Sequence, residues 1–315
     1  MSYVYQDPAN WASVHQARHS RPPETVDAIV DWIHDQHIPT SFDVKVKAAV
    51  DTLLRRHRRT TARSLAISAP EDTGKTAAVM APILNEVFAS DAKPWFGRDP
   101  HTHRLHIPWV YIRLMTGATS ASVLRETARF CGIPDDGNED TLGRRLAKLL
   151  PEHGVKAIVV DEAQTLRRAS ATSSRLPDGL RGLQHLPIPF VFVGIDLGSS
   201  ALLRDFGKPN DSVRQVRKRT SVLDLSLPHG AAGAEDWKNL IGGLGRRLRL
   251  IEGFDIEGLR SPGLAKRLAH TCGASPGLLM ETLKNAAADA METDRRLTTD
   301  IIFDVAAEVG DAAAA

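Results

Sequence analysis

Five short apolar runs, Leu65–Ser68, Trp109–Ile112, Ala157–Val160, Phe190–Val193 and Val222–Leu225, are separated by longer stretches of helical periodicity. This alternation restricts the possible folds more than any other feature of the chain. Runs of four or five apolar residues, several of them β-branched, suit strands buried on both faces. Helical stretches such as Ser120–Cys131 and Thr141–Leu150 supply the crossovers that parallel strands require. The pattern predicts an α/β domain with a mostly parallel, five-stranded sheet.

The flanks read differently. The first twenty residues are rich in Gln, His, Asn and Ser and read as an arm rather than a packed element. Pro22-Pro23-Glu24 opens a helical pattern in which Val26, Ile29, Val30 and Ile33 recur at helix spacing, with proline suited to the first turn. A second pattern covers Val44–Leu54 and ends in Arg55-Arg56-His57-Arg58-Arg59, a solvated helix end or a nucleic-acid contact. After Pro228 strand signals stop: His229–Gly233 reads as a linker, followed by helices over Glu235–Ile251, Gly263–Cys272, Gly277–Met291 and Thr298–Val309. The predicted organisation is an N-terminal arm with helices over 1–58, an α/β core over 59–228 and an all-helical lid domain over 229–315.

Bulk properties exclude several classes. With 40 basic and 38 acidic side chains the formal charge is only +2, so nucleic-acid binding would need a local basic patch. No apolar run approaches the roughly 18 residues needed to span a bilayer, and the polar start lacks a signal-peptide core. The two cysteines, Cys131 and Cys272, are far apart and lack metal-ligand spacing, as expected of reduced thiols in a cytoplasmic protein. His101, His103 and His106 lie in a segment, Ala92–His106, that reads as an insertion or long loop without a companion cysteine or carboxylate cluster, and they read as surface histidines.

Chemistry is concentrated at two strand ends. Ala69-Pro70-Glu71-Asp72-Thr73-Gly74-Lys75-Thr76 follows the first run and opens a helical stretch, the context of the phosphate-binding pattern G-x-x-x-x-G-K-[ST]. Backbone N–H groups around Gly74 would wrap phosphates, Lys75 would neutralise the β- and γ-phosphates, and the Thr76 hydroxyl would ligand Mg²⁺. Ala69 replaces the first glycine, tolerable if its backbone is not left-handed. Glu71 and Asp72 should face outward, away from a negative ligand, and Pro82 should kink or shorten the following helix.

The second strand end is Lys156-Ala157-Ile158-Val159-Val160-Asp161-Glu162, an apolar run closed by two acids. In phosphate-loop proteins the first acid holds Mg²⁺ and the second polarises the attacking water. Asp161 could instead cap a helix over Ala163–Arg167, a local role that could coexist with catalysis. Asp196, after the fourth run, stands where a polar γ-phosphate sensor often sits, although Ile195 offers no such group. Arg214, Arg217, Lys218 and Arg219 precede the last run, as a basic surface loop or as the source of an arginine acting in trans on a neighbour's nucleotide.

Taken in order, APEDTGKT, VYIRLMTGATSASVLRETARFCGIP, AIVVDEAQTL, FVFVGID and GASPGLLMETL resemble an AAA+ ATPase, and within it the transposition helper ATPases of the TniB, TnsC and MuB kind. The resemblance covers roughly residues 45–290. It implies ATP and Mg²⁺ bound between adjacent subunits, with Lys75, Thr76, Asp161 and Glu162 on the motif positions. It also implies a homo-oligomeric ring or filament on double-stranded DNA that engages a transposase or adaptor. DNA contact would come from the turn after the second strand, through Arg113, Thr116 and Thr119, and from Arg167-Arg168. Those hydroxyls and that guanidinium are sequence-neutral phosphate partners, while Thr119 or Ser120 could instead cap a helix. The chain departs from the family at Ile195 and in lacking an arginine after Ser275-Pro276-Gly277, which implies slow hydrolysis. A nucleotide-switched scaffold acting on protein partners without DNA is the alternative.

Overall fold

In the computed structural model the five runs are strands β1 (Ser64–Ser68), β4 (Trp109–Arg113), β5 (Ala157–Asp161), β6 (Phe190–Gly194) and β7 (Thr220–Asp224). Between β1 and β4, β2 (Gly97–Arg98) and β3 (Leu105–His106) form a small antiparallel pair. The structure describes residues 2–57, 63–89, 97–98, 105–166, 186–200, 203, 217–225, 230–252, 254 and 261–314. The five main strands form one parallel sheet in the order β4-β5-β6-β1-β7. Strands β1, β5 and β6 are buried along their whole length, as continuous apolar runs require. Edge strand β7 exposes Ser221, Val222 and Asp224.

Helices α1 (Ala9–His19), α2 (Val26–Asp35), α3 (Ser41–Arg56), α4 (Lys75–Phe88), α5 (Ser120–Phe130), α6 (Glu139–Glu152), α7 (Gly230–Leu248), α8 (Pro262–Thr271), α9 (Pro276–Glu292) and α10 (Thr299–Ala314) complete the regular structure. The chain divides into two compact units. One comprises Met1–Ala12, Lys45–Pro70 and Ala78–Ser226, and the other Ser13–Val44, Glu71–Ala77 and Leu227–Ala315.

The first unit is built on the sheet. Helix α5 packs on β4, and α6 packs on α5. Their caps explain where they begin. Thr119 accepts a hydrogen bond from the Ser122 N–H while the Ser122 hydroxyl accepts from the Thr119 N–H, and Asn138 Oδ1 accepts from the Thr141 N–H at 2.9 Å. The i, i+4, i+8 spacing of Leu142, Leu146 and Leu150 puts all three on one buried face, beside Val123, Leu124, Ile158 and Val160.

The second unit gathers Ile29, Trp32 and Ile33 of α2 with Trp237 and Ile241 of α7, Leu268 of α8, Leu279 and Leu283 of α9, and Ile302 of α10. Arg247 ties the N-terminal helices to α7. Its Nε donates to Gln36 Oε1 at 2.6 Å, its Nη2 donates to the Arg18 carbonyl at 2.8 Å, and its guanidinium lies 5.0 Å from the Trp32 ring.

Several expectations change. The N-terminal stretch is packed structure: a 3-10 turn (Ser2–Gln6) leads into α1, with Trp11 fully buried and Tyr5 at 8% exposure. Helix α2 begins at Val26, with Thr25 at the N-cap position, so Pro22 and Pro23 lie outside its first turn. Helix α4 continues past Pro82 to Phe88 rather than stopping there. The helix expected from Glu235 already begins at Gly230, within the proposed linker. His101 and His103 lie outside the described residues. Among the described residues there is no cluster of potential metal ligands, and no helix is long and apolar enough to cross a membrane.

Candidate nucleotide site

Parallel pairing places the ends of β1, β5 and β6 at one edge of the sheet. Ser68 is in register with Gly194, and Val160 with Phe192. The chain leaves β1 at that edge through Ala69, whose N–H donates to the Gly194 carbonyl at 3.1 Å. Ala69 is buried and is not among the positive-φ residues, so a methyl group replaces glycine without backbone strain. The left-handed positions of this segment are Asp72 (φ 52°) and Gly74 (φ 78°). Pro70, Glu71, Asp72 and Gly74 are exposed, whereas Thr73 and Lys75 are buried and Thr76 is half-buried. The two acids of the loop therefore lie at its surface. Lys75 and Thr76 open α4, whose dipole favours an anion at this end.

Sequence reasoning missed how this loop is held. The Asp72 carbonyl accepts from the Gly277 N–H at 2.7 Å and from the Ser275 hydroxyl at 3.1 Å. Ser275 also caps α9, accepting from the Leu278 N–H at 3.2 Å. A Cβ on Gly277 would lie 2.6 Å from Asp72 Cβ and 3.0 Å from its carbonyl oxygen, so only glycine permits this approach. Beside the loop is a mainly apolar cavity lined by Phe42, Thr73, Trp237, Leu240 and Pro276 among others. Ser41, at the start of α3, hydrogen-bonds Asp236, another lining residue.

The two acids at the tip of β5 are held closely. Asp161 is fully buried. The Tyr111 hydroxyl donates to its Oδ2 at 2.7 Å, and its Oδ1 accepts from the Glu162 N–H at 2.9 Å. The cap position of the turn that follows is occupied by Glu162 rather than Asp161. Glu162 precedes the 3-10 turn Ala163–Thr165 in a left-handed conformation (φ 57°, ψ 35°), which costs a non-glycine residue about 1 kcal/mol or more. Arg113 Nη2 lies 3.2 Å from Glu162 Oε1, and Gln164 Nε2 donates to Oε2 at 2.6 Å. The other end of the same amide, Gln164 Oε1, accepts from the Ile195 N–H at 3.1 Å. Ile195 thus offers no side-chain sensor, but its backbone is linked to Glu162 through Gln164. Tyr111 and Gln164 are functional candidates that the motifs did not indicate.

The remaining candidates are dispersed. Thr119 is the α5 cap, and Thr116 is exposed beside it. Asp196 is exposed and left-handed (φ 46°). Arg217 and Lys218 are exposed and Arg219 is half-buried just before β7, whereas Arg214, Arg167 and Arg168 lie outside the described residues.

Comparisons with known proteins agree with this geometry. Residues 57–198 match the family model described as AAA domain. A search of curated proteins finds no match to the chain. Among solved structures, the chain is similar to the Aeropyrum pernix ORC2 protein in its ADPNP-ADP complexes, at 15% identity over 86% of this chain and 70% of that one (TM-score 0.57). It is also similar to Cdc6p from Pyrobaculum aerophilum, at 16% identity over 90% and 67% (TM-score 0.51). Drosophila ORC bound to DNA matches at 14% identity over 96% and 73% (TM-score 0.55). At such identities the likeness concerns the fold alone. The chain therefore has the α/β P-loop AAA+ fold, and residues 57–198 of it are similar to the AAA domain model.

Proposed function

We propose that the chain is a Mg²⁺-dependent ATPase whose ATP-bound form assembles on double-stranded DNA. The observation that carries this reading is the Asp161-Glu162 pair at the tip of β5, on the sheet edge where β1 runs into a Gly74-Lys75-Thr76 helix start. Burying a carboxylate such as Asp161 costs several kcal/mol unless hydrogen bonds or a cation compensate. One buried carboxylate and one threonine hydroxyl are too few for a protein metal cage. They suit a magnesium ion that keeps its waters and nucleotide phosphates as ligands. Asp161 and Thr76 would hold that ion, which would screen the phosphate charge.

The division of labour follows from charge. Lys75 and the α4 N-terminus stabilise the β- and γ-phosphates. Glu162 orients a water that attacks the γ-phosphorus as the bond to the β,γ-bridging oxygen breaks, giving ADP and phosphate. The cavity lined by Phe42, Trp237 and Leu240 takes the base.

Glu162 is held by Arg113 and Gln164, so this arrangement favours slow, regulated turnover. Arg113 is also the proposed phosphate partner on DNA, together with Thr116 and Thr119. A DNA phosphate pairing with Arg113 would compete for its grip on Glu162. A partner subunit would supply an arginine from the Arg214, Arg217 and Arg219 segment. The solved Drosophila ORC that shares the fold is bound to DNA, which supports the DNA reading. The narrower role, a transposition helper that recruits a transposase, rests on the sequence resemblance. The small net charge of +2 favours the second reading, a nucleotide-switched scaffold for protein partners.

The test is Glu162→Gln in the full chain. ATP binding should persist while turnover falls about 100-fold or more, trapping an ATP-bound assembly measurable by light scattering. Turnover at the parent rate would remove Glu162 from the chemistry.

A further inference from the structure

Strand β4 is one of the two outer strands of the sheet, and the N-terminal turn Ser2–Gln6 packs against it. The packing is specific. The Tyr5 ring meets the Tyr111 ring edge-on, with centroids 5.6 Å apart and planes at 68°. Gln6 Nε2 donates to the Arg113 carbonyl at 3.4 Å. The turn is secured by Trp11, which is fully buried, donates from Nε1 to the Tyr5 carbonyl at 2.8 Å, and lies 5.9 Å from the Phe130 ring of α5. Two β4 residues that it touches, Tyr111 and Arg113, engage Asp161 and Glu162. They alternate along the strand and so lie on one face of it.

We propose that Tyr111 is a positioning residue for Asp161, and that the N-terminal segment through Tyr5 and Trp11 sets its position from the outer edge of the sheet. The inference rests on the ATPase reading above. The Tyr111 hydroxyl holds one oxygen of a buried carboxylate whose other oxygen is held by the Glu162 N–H, so its bond fixes the carboxylate's orientation. Tyr111 has 1% exposure, and its ring is placed by contact with Tyr5. Next to this contact a cavity lined by Gln6, Pro8, Arg113, Arg129 and Phe130 leaves room for the segment to shift without unpacking the sheet. Any partner that displaced the segment would therefore act on both acids together.

The test uses the full chain and a ribose-labelled fluorescent ATP, titrated with excess Mg²⁺ and with EDTA. Relative to the parent, Tyr111→Phe, which removes one oxygen, should keep its EDTA Kd within about twofold and lose three- to tenfold of the affinity gained from Mg²⁺. Tyr5→Ala should lower the same gain, and Tyr5→Phe, which keeps the ring contact, should not. Combining Tyr5→Ala with Tyr111→Phe should be no worse than Tyr111→Phe alone, because both act through one hydroxyl. A full Mg²⁺ gain in Tyr111→Phe, an equal loss in Mg²⁺ and EDTA, or additive effects in the double variant would overturn the inference. A parent that binds no labelled ATP in either condition would overturn the ATPase reading and the inference with it.

Discussion

At the residue scale, the candidate site depends on a few close approaches. Gly277 brings the start of α9 onto the Asp72 carbonyl, and a Cβ there would meet Asp72 backbone and side-chain atoms at 2.6–3.0 Å. These are not the flexible ends of long side chains, so Gly277→Ala must move the loop or the helix. We expect a loss of about 1–3 kcal/mol of stability, read as a lower urea midpoint with an unchanged slope. Weaker ATP binding should accompany it, since the loop carries Thr73, Gly74 and Lys75. Glu162 illustrates the limit of motif reading. Its place after an apolar strand was legible, but its left-handed backbone and its bonds to Arg113 and Gln164 depend on residues 49 and 2 positions away.

At the scale of elements, legibility followed the strength of the local pattern. Strands β1, β4, β5 and β6 were readable because buried parallel strands are continuous apolar runs, and α5 and α6 because capping residues precede amphipathic periods. The N-terminal stretch was misread as an arm because its polar composition hides its anchors. Among its described side chains only Tyr5, Trp11 and Val14 are buried, and Tyr5 and Trp11 pack on Tyr111 and Phe130, more than a hundred residues away. Helix α4 shows the converse: Pro82 removes one backbone donor, yet Val79, Met80, Ile83, Leu84 and Val87 are buried around it, and tertiary packing outweighs propensity. The apolar cavity was invisible because Phe42, Thr73, Trp237 and Pro276 converge from four separate segments.

At the scale of the whole molecule, His15, His153 and Asp43 contribute to the response to acid. His15 is depressed below 6.5 by burial, then by His19 and Arg18, and His153 by burial against the opposing charge of Glu152. Burial alone would raise Asp43, but its hydrogen bond to His37, the charge of His37 and bonds from Thr40 hold it below 3.8. In each case the folded form binds fewer protons than the unfolded chain. The stability they contribute is present above the unfolded values and is lost as pH falls through the folded ones. The thermal midpoint should therefore drop as pH goes from about 7.5 to below 6, with a further loss below about 4, and a midpoint that rose on acidification would contradict these assignments. Charge also bears on function at this scale. With a formal +2 overall, any grip on DNA must come from local groups organised by assembly, so nucleotide and duplex binding should be linked. The most direct test is binding of a labelled duplex of arbitrary sequence at moderate salt, with ATP, with ADP and without nucleotide, for the parent and for Lys75→Ala. The account predicts salt-sensitive binding by the parent with ATP alone, lost in Lys75→Ala. Duplex binding that ignores both the nucleotide and the Lys75 substitution would contradict it.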